Sequence, residues 1–207
     1  MIAVYRAREA AATAHARVMW DDPQKQHYRF AELLESVDLA SGSASILDVG
    51  CGNGELYRYL IERGFCGAYR GVDINRPLLD EAASRFPKAA FALVDDVAVG
   101  TYDYVLMSGV FNANAGQTEQ WVHDLLIRYF ALCTTALVFN AVSGYVTRRD
   151  EHMFYLPVGP TADFVARELS PVFDIRHGFV PFNYTVCVRK RPQWRSLAEI
   201  SEGVSGR

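Results

Sequence analysis

The sequence lacks the features that mark several classes of protein. Its four cysteines are scattered and form no CxxC pair, so the ligand spacing of a zinc site is missing. The longest apolar stretch, residues 130–139, is interrupted by two threonines and falls well short of the roughly 20 residues that span a bilayer. A net charge of only −3 provides no general attraction to nucleic acids or to anionic membranes.

The N-terminal segment gives a further exclusion. Residues 1–20 alternate alanine with charged residues and contain no continuous apolar core, so we do not expect a signal peptide. Together these absences predict a cytoplasmic protein with reduced thiols. We expect no metal ion, no membrane and no nucleic acid among its partners, and we make no prediction of its oligomeric state.

Composition and periodicity predict a single α/β domain. Half of the residues are hydrophobic and 13% are aromatic, which is enough to build a buried core. Between residues 44 and 142, short β runs alternate with stretches of helical spacing, a pattern typical of βαβ units and a parallel sheet. We assign residues 1–190 to this domain, with an N-terminal helical cap over residues 1–43, and residues 191–207 to a polar tail.

The predicted elements follow from this alternation. Two N-terminal helices precede the first strand and are separated at Pro23. The predicted strands in the alternating region are residues 44–49, 69–74, 91–94, 104–107 and 136–142. The predicted helices after the first strand are residues 56–64, 77–86, 118–130 and 162–169. Two last β runs, residues 172–177 and 184–188, should form an antiparallel pair at one edge of the sheet.

A glycine-rich segment follows the first predicted strand. Gly50, Gly52 and Gly54 come directly after Asp48, and glycine lets a ligand approach the main chain closely. A dinucleotide-binding loop would have glycine at the position of Glu55, and a P-loop would continue with Gly-Lys-Ser/Thr. Both phosphate-binding patterns are missing, whereas a carboxylate at Asp48 suits the sulfonium and ammonium groups of S-adenosylmethionine.

Acidic residues also end the next two predicted strands. Asp73 lies about 20 residues beyond the glycines, where an acid commonly binds the ribose hydroxyls of a nucleotide. Asp95, or its neighbour Asp96, ends the third strand and could accept a hydrogen bond from an adenine amino group. Carboxylates at three successive strand ends behind a glycine loop indicate a site for S-adenosylmethionine.

At these residues the sequence resembles the class I S-adenosylmethionine-dependent methyltransferases. The resemblance covers about residues 46–139 and rests on residues 46–54, 71–74, 91–95 and 102–106. It implies a Rossmann-like, doubly wound sheet of seven strands, of which the last is antiparallel, and S-adenosylmethionine as the cofactor. Segments within residues 20–30, 140–145 and 154–190 are also similar to a small group of bacterial and phage methyltransferases, most of uncharacterised substrate.

The same resemblance implies roles for individual residues. The glycine segment would surround the methionine half of the cofactor, Asp73 and Ile74 would hold the ribose and adenine, and Asp95 would cap the adenine. Ser108 and Gly109 would lie beside the sulfonium. The complete set of predicted cofactor-binding residues is Asp48, Gly50, Cys51, Gly52, Gly54, Asp73, Ile74, Asp95, Asp96, Ser108 and Gly109.

The acceptor pocket is expected beyond the ends of the fourth and fifth predicted strands, beneath the N-terminal helices. Residues 107–112 lack the two prolines typical of methyltransferases that act on amino groups of flipped bases. His152 is the predicted base because it lies in the polar loop after the fifth strand, and Tyr145 and Tyr155 are the other catalytic candidates. The predicted substrate-binding residues are Trp20, Gln26, Arg29, Asn112, Asn114, Asn140, Ser143 and Tyr184. Each of these residues also has an ordinary alternative, in a turn, in packing or at the surface.

Three functions are compatible with these residues. The leading hypothesis is methyl transfer to an oxygen, nitrogen or carbon atom of a small metabolite or natural-product intermediate. The second is methylation of RNA or protein, which would need a basic face from Arg148, Arg149 and residues 189–195. The third is a partner subunit or sensor that binds S-adenosylmethionine without catalysis.

Overall fold

The computed structural model describes residues 23–39, 42–96, 101–178 and 180–190. The first predicted N-terminal helix, the candidate Trp20 and the predicted tail at residues 191–207 lie outside the described residues. The strands are β1 (Ser45–Val49), β2 (Ala68–Asp73), β3 (Ala90–Leu93), β4 (Tyr102–Met107), β5 (Cys133–Val142), β6 (Phe173–His177) and β7 (Asn183–Arg189). The helices are α1 (Pro23–Leu34), α2 (Glu55–Ile61), α3 (Arg76–Arg85), α4 (Glu119–Phe130) and α5 (Val158–Phe164).

The strands form one seven-stranded sheet in the order β3-β2-β1-β4-β5-β7-β6. The pairs from β3 to β5 are parallel, whereas β7 runs antiparallel to both of its neighbours, β5 and β6. The predicted doubly wound sheet with an antiparallel last strand is therefore confirmed. The predicted antiparallel pair is also confirmed, with β6 at the edge of the sheet.

Two apolar layers cover the sheet, because successive side chains of a strand point to opposite faces. Leu47 of β1 packs in the layer that contains residues of α4, and its neighbour Ile46 packs in the layer that contains residues of α1 and α2. Both side chains are fully buried. Burial on both faces is what a parallel sheet covered by helices requires.

Among the element boundaries that differ from the sequence prediction, those of β5 and α5 have a clear physical reason. Strand β5 begins at Cys133 rather than at residue 136, because the exposed Thr134 and Thr135 are β-branched and continue the extended chain. Helix α5 begins at Val158, so that Pro160 lies inside its first turn, where the amide that proline lacks would have no partner in the helix. The segment Val165–Leu169 then continues α5 as a π-helix.

The connection between β3 and β4 shapes the region where the functional site lies. It comprises residues 94–101, which is shorter than the dozen or more residues of a crossover that contains a helix. Helix α4 covers this part of the sheet instead: its residues Trp121 and Leu125, like Val94, pack against the buried cluster that includes Val72. A helix that precedes β5 therefore reaches across to the ends of β2 and β3.

Candidate cofactor and active site

A cavity of about 540 Å³ lies at the carboxyl ends of β1, β2 and β4. Its volume is in the range of small-molecule sites. The central strands and the loops after them contribute Asp48, Val49, Gly50, Cys51, Gly52, Asn53, Asp73, Ile74, Val94, Ser108, Gly109 and Val110. The helices contribute Gln26, Phe30, Glu55, Leu56, Leu78, Trp121, Leu125, Arg128 and Tyr129.

The glycine loop takes a contour that other residues would not tolerate. The amides of Gly50 and Cys51 both donate to the carbonyl of Val72, at 2.7 and 3.1 Å. Gly50 has a φ of 75°, and a Cβ atom placed on it would lie 2.8 Å from Cγ2 of Val110. Such a distance is shorter than real Cβ contacts, so a Cβ here would displace the Val110 side chain, and the left-handed backbone itself favours glycine.

Asp73 joins the glycine loop to the start of α3. Its Oδ2 accepts a hydrogen bond from the Gly52 amide at 2.8 Å, and its Oδ1 accepts one from the Asn75 amide at 2.9 Å. Burial raises the pKa of Asp73, and these backbone hydrogen bonds oppose that rise. Each carboxylate oxygen keeps further capacity to accept hydrogen bonds toward the cavity.

Asp48 is the second buried carboxyl group of the cavity. It is 2% exposed, and its Oδ2 accepts a hydrogen bond of 2.6 Å from the Tyr69 hydroxyl. The pKa of Asp48 is raised to about 7: burial is the largest cause, the Tyr69 hydrogen bond opposes it, and the negative charge of Asp73 adds to it. The ionised form of Asp48 is thus costly unless a positive charge lies near it.

The negative charge of Glu55, at the first position of α2, is balanced by two arginines of the protein. Arg58 donates to its Oε2 at 2.8 Å and Arg85 to its Oε1 at 2.6 Å. Burial raises the pKa of Glu55, but the hydrogen bonds and charges of the two arginines outweigh burial and leave that pKa below its usual value. A ligand cation is therefore attracted mainly by Asp48 and Asp73, whose charges have no such partner among the described residues.

The sequence of the chain is similar to those of known methyltransferases. The sequence profile of the methyltransferase domain family matches residues 47–126. The Mycobacterium tuberculosis protein Rv1506c, whose name places it among methyltransferases and gives no acceptor, is 28% identical over 161 residues, which are 73% of this chain and 96% of that protein.

Solved structures share the fold. Magnesium protoporphyrin IX methyltransferase from Synechocystis PCC 6803, with bound S-adenosylhomocysteine, superposes with a TM-score of 0.67 at 13% identity, over 92% of this chain and all (100%) of that one. The Pnkp1/Rnl/Hen1 RNA repair complex gives a TM-score of 0.63 at 14% identity, over 80% of this chain and 41% of that one. The match of residues 47–126 to the methyltransferase domain family and the methyltransferases among these relatives support an S-adenosylmethionine-dependent methyltransferase. Its cofactor is S-adenosylmethionine.

The cavity of this methyltransferase suits that cofactor chemically. Asp48 offers a carboxylate to a cationic ligand, and Asp73 offers acceptor oxygens to ribose hydroxyls. Apolar side chains such as Ile74, Leu78 and Val94 line the same cavity and can contact the faces of a flat base. Two buried carboxyl groups would instead repel the phosphates of a nucleotide.

The predicted cofactor-binding residues occupy several positions. Those that line the cavity are Asp48, Gly50, Cys51, Gly52, Asp73, Ile74, Ser108 and Gly109. Gly54 precedes α2 with a φ of 85° and does not line the cavity. Asp95 is exposed in the turn after β3, where Val94 lines the cavity instead, and the side chain of Asp96 lies outside the described residues.

The predicted substrate-binding residues separate into two groups. Gln26 lines the cavity, and Asn140 lies directly behind it, accepting from the Gly109 amide at 2.8 Å and donating to Ser108 Oγ at 3.2 Å. The others, Arg29, Asn112, Asn114, Ser143 and Tyr184, do not line the cavity. Ser143 and Tyr184 are buried in the protein, and the Tyr184 hydroxyl donates to the Leu156 carbonyl at 3.3 Å.

The three catalytic candidates also lie outside the cavity lining. The side chain of His152 is 81% exposed, and Tyr145 is 70% exposed. The hydroxyl of Tyr155 accepts a hydrogen bond from the Asp150 amide at 2.8 Å. The loop after β5 turns outward because it pairs with the loop after β4, where the Asn114 amide donates to the His152 carbonyl at 2.8 Å.

Sequence reasoning missed one wall of the cavity. Trp121, Leu125, Arg128 and Tyr129 all belong to α4 and line it. Their spacing of three and four residues places them on one helix face, but the same spacing is equally typical of core packing. Asn53 was also missed; its Oδ1 is buried and accepts no hydrogen bond among the described residues.

In residues 23–39, 42–96, 101–178 and 180–190, no group of three or more His, Cys, Asp or Glu side chains is arranged to hold a metal ion. No helix in these ranges has the length and apolarity needed to cross a membrane.

Gly50→Ala should weaken cofactor binding strongly while the protein stays folded. Gly64→Ala is the matched control, because Gly64 has a similar φ of 83° but open space where its Cβ would stand. Each change should cost about 1 kcal/mol of stability for the left-handed backbone. Only Gly50→Ala should also weaken binding of S-adenosylhomocysteine in calorimetry, by more than about tenfold. Equal affinities of the two variants would contradict the required contact with Val110.

Asp48→Asn should change how the stability of the protein depends on pH. The folded-state pKa of Asp48, about 7, lies above its unfolded value near 4, so its contribution to stability is present below pH 4 and is lost as pH rises through 7. Asparagine can still accept from Tyr69, so this variant should gain stability relative to the native protein at pH 8.5 compared with pH 4. Thermal unfolding at both pH values measures the difference.

The same variant should change how S-adenosylmethionine binds. Affinity of the native protein should rise between pH 5.5 and 8.5, because ionised Asp48 attracts the cationic cofactor. Asp48→Asn should lose this rise, and Tyr69→Phe should move it to higher pH, since the Tyr69 hydrogen bond lowers the pKa of Asp48. A rise in affinity that persists unchanged in Asp48→Asn would exclude Asp48 as its source.

Proposed function

We propose that this methyltransferase acts on a small molecule whose acceptor atom already carries a free lone pair near neutral pH. The observation that carries the proposal is the composition of the cavity: its described lining residues include no histidine and no lysine, and the carboxyl groups of Asp48 and Asp73 are already engaged by the Tyr69 hydroxyl and by backbone amides. Cys51 lines the cavity, but burial raises the pKa of its thiol well above the ordinary value. A deprotonated carboxylic acid, an unprotonated amine or an ionised thiol or phenol would need no base from the protein.

The protein's residues would then act by binding, orientation and exclusion of water. Bound in the cavity, S-adenosylmethionine supplies a methyl group that its sulfonium already activates. Asp48 and Asp73 would hold the cofactor, and Ser108 and Gly109 would form the wall beside the acceptor. Phe30 and Gln26 of α1, which are both buried, would keep water from the acceptor's lone pair.

The size of the cavity supports a small acceptor. A volume of about 540 Å³ must hold both the cofactor and the reacting part of the acceptor. Small-molecule sites of roughly 300–1,000 Å³ enclose most of one drug-sized ligand, so little room remains for a second large molecule. An acceptor as large as a folded RNA would have to contact the outer surface as well.

A panel of small carboxylic acids, amines, thiols and phenols tests the proposal, with formation of S-adenosylhomocysteine as the readout. For an acceptor that turns over, His152→Ala and Tyr145→Phe should each change kcat/KM by less than about twofold, whereas loss of a general base costs roughly a hundredfold or more. The pH profile should follow ionisation of the acceptor and of Asp48. A loss of a hundredfold in His152→Ala would overturn the proposal of a reaction without a protein base.

Parallel assays address the other two functions. Methylation of bulk RNA, with binding that weakens steeply as salt rises, would favour a macromolecular acceptor and contradict the small-molecule proposal. One similar structure is an RNA repair complex, and Arg148 and Arg149 are exposed, so this assay is informative. Tight cofactor binding without turnover of any acceptor would favour a cofactor-binding partner or sensor.

A further inference from the structure

Helix α1 is fastened to the sheet by a polar contact at its C-terminal end. The Arg176 side chain of β6 donates from Nε to the Glu32 carboxylate at 2.8 Å and from Nη2 to the Glu32 backbone carbonyl at 2.7 Å. Its Nη1 donates to Ser36 Oγ at 2.9 Å and to Asp174 Oδ1 at 2.7 Å. One guanidinium group therefore binds the side chain and the main chain of α1 and the turn that follows it.

A second polar contact fastens the middle of α1. Arg29 Nε donates to the Asn183 Oδ1 of β7 at 2.9 Å. Next to it, a cavity of about 10 Å³ is lined by Arg29, Glu32, Arg176 and Asn183, among others, and is large enough for at most one water molecule. The face of α1 that packs on the sheet is thus polar and incompletely packed at this point, whereas Leu33 of the same helix packs in the apolar layer.

The polar row continues to the cofactor site. Asn140, Thr185 and Arg176 are directly paired across β5, β7 and β6, so their side chains share one face of the sheet. Asn140 accepts from the Gly109 amide at 2.8 Å, and Gly109 lines the large cavity. The residue that holds α1 and the residue that holds the loop after β4 therefore belong to one row across the sheet.

We infer that Arg176 is a positioning residue of the cofactor site, which acts through Glu32 on the Gln26 and Phe30 side chains of α1. Arg176 does not line the large cavity, whereas Gln26 and Phe30 do. The Glu32 side chain is 9% exposed, so removal of Arg176 would leave its buried charge without this partner. Release of α1 would expose that charge to water and withdraw the two side chains from the cavity.

Arg176→Met tests the inference, with Arg189→Met as the matched control. Arg189 donates to the same Asp174, at 2.6 Å, but among the described residues it forms no hydrogen bond to α1. The readouts are affinity for S-adenosylhomocysteine by calorimetry, hydrogen exchange of the α1 amides with and without that ligand, and the thermal midpoint. No methyl acceptor is needed, so a failure of the proposed acceptor chemistry leaves this test intact.

Arg176→Met should lower affinity for S-adenosylhomocysteine by about fivefold or more, mainly through faster dissociation, and should speed exchange of α1 amides. Arg189→Met should keep affinity within about twofold. Arg176→Lys keeps the charge but not the forked geometry, and should give an intermediate result. If Arg176→Met does not fold, Glu32→Gln, which keeps the backbone acceptor, should weaken binding in the same direction.

Two outcomes would overturn the inference. Native affinity together with native exchange of α1 in Arg176→Met would show that α1 does not depend on this contact. Equal weakening of S-adenosylhomocysteine binding in Arg176→Met and Arg189→Met would show that both act through the general stability of the sheet edge. A fall in thermal midpoint shared by both variants, with affinity lost only in Arg176→Met, would support the inference.

Discussion

The hydrogen bond from the Gly52 amide to the Asp73 carboxylate organises the cofactor site. It ties the loop after β1 to the end of β2 at 2.8 Å, while the other oxygen of Asp73 holds the amide of Asn75 ahead of α3. Because β1 and β2 are adjacent parallel strands, their carboxyl ends meet at one edge of the sheet, where the Gly50 and Cys51 amides also bind the Val72 carbonyl. The glycine loop thereby keeps a contour that presents the main chain of residues 50–52 to the cavity.

That arrangement brings two buried carboxyl groups close together at an electrostatic cost. The charge of Asp73 raises the pKa of Asp48, in addition to the larger effect of burial. Nearby arginines neutralise Glu55, but Arg128 is the one cationic residue among the described residues that line the cavity. A cationic ligand relieves this cost, so part of its binding energy comes from a site whose charges are unbalanced without it. The two buried carboxyl groups thus lower the stability of the free protein and favour binding of the cationic cofactor.

The residues at this end of the cavity could be predicted from the sequence because the information is local. Asp48 and Asp73 are each at the end of a recognisable apolar strand, and the three glycines mark the turn between strand and helix. The seven-stranded, doubly wound sheet and its antiparallel last strand follow from the family resemblance and are confirmed by the strand pairing. Strand limits were less predictable where β-branched residues such as Thr134 extend an apolar run into exposed positions.

The remaining walls could not be predicted, because they depend on contacts between distant segments. Trp121 lines the cavity from α4, which lies between β4 and β5 in the chain and is distant in sequence from β1 and β2. The loop of His152 turns outward because it pairs with the loop after β4, and Arg176 reaches Glu32 across 144 positions of sequence. No pattern of neighbouring residues in the sequence indicates these contacts. The glycine-loop end of the site thus rests on the central strands and the loops that follow them, whereas its other walls come from α1, α4 and loops that are distant in sequence. This separation explains how one fold appears both in a magnesium protoporphyrin methyltransferase and in an RNA repair complex, and why the acceptor must be inferred from the chemistry of the cavity rather than from the fold.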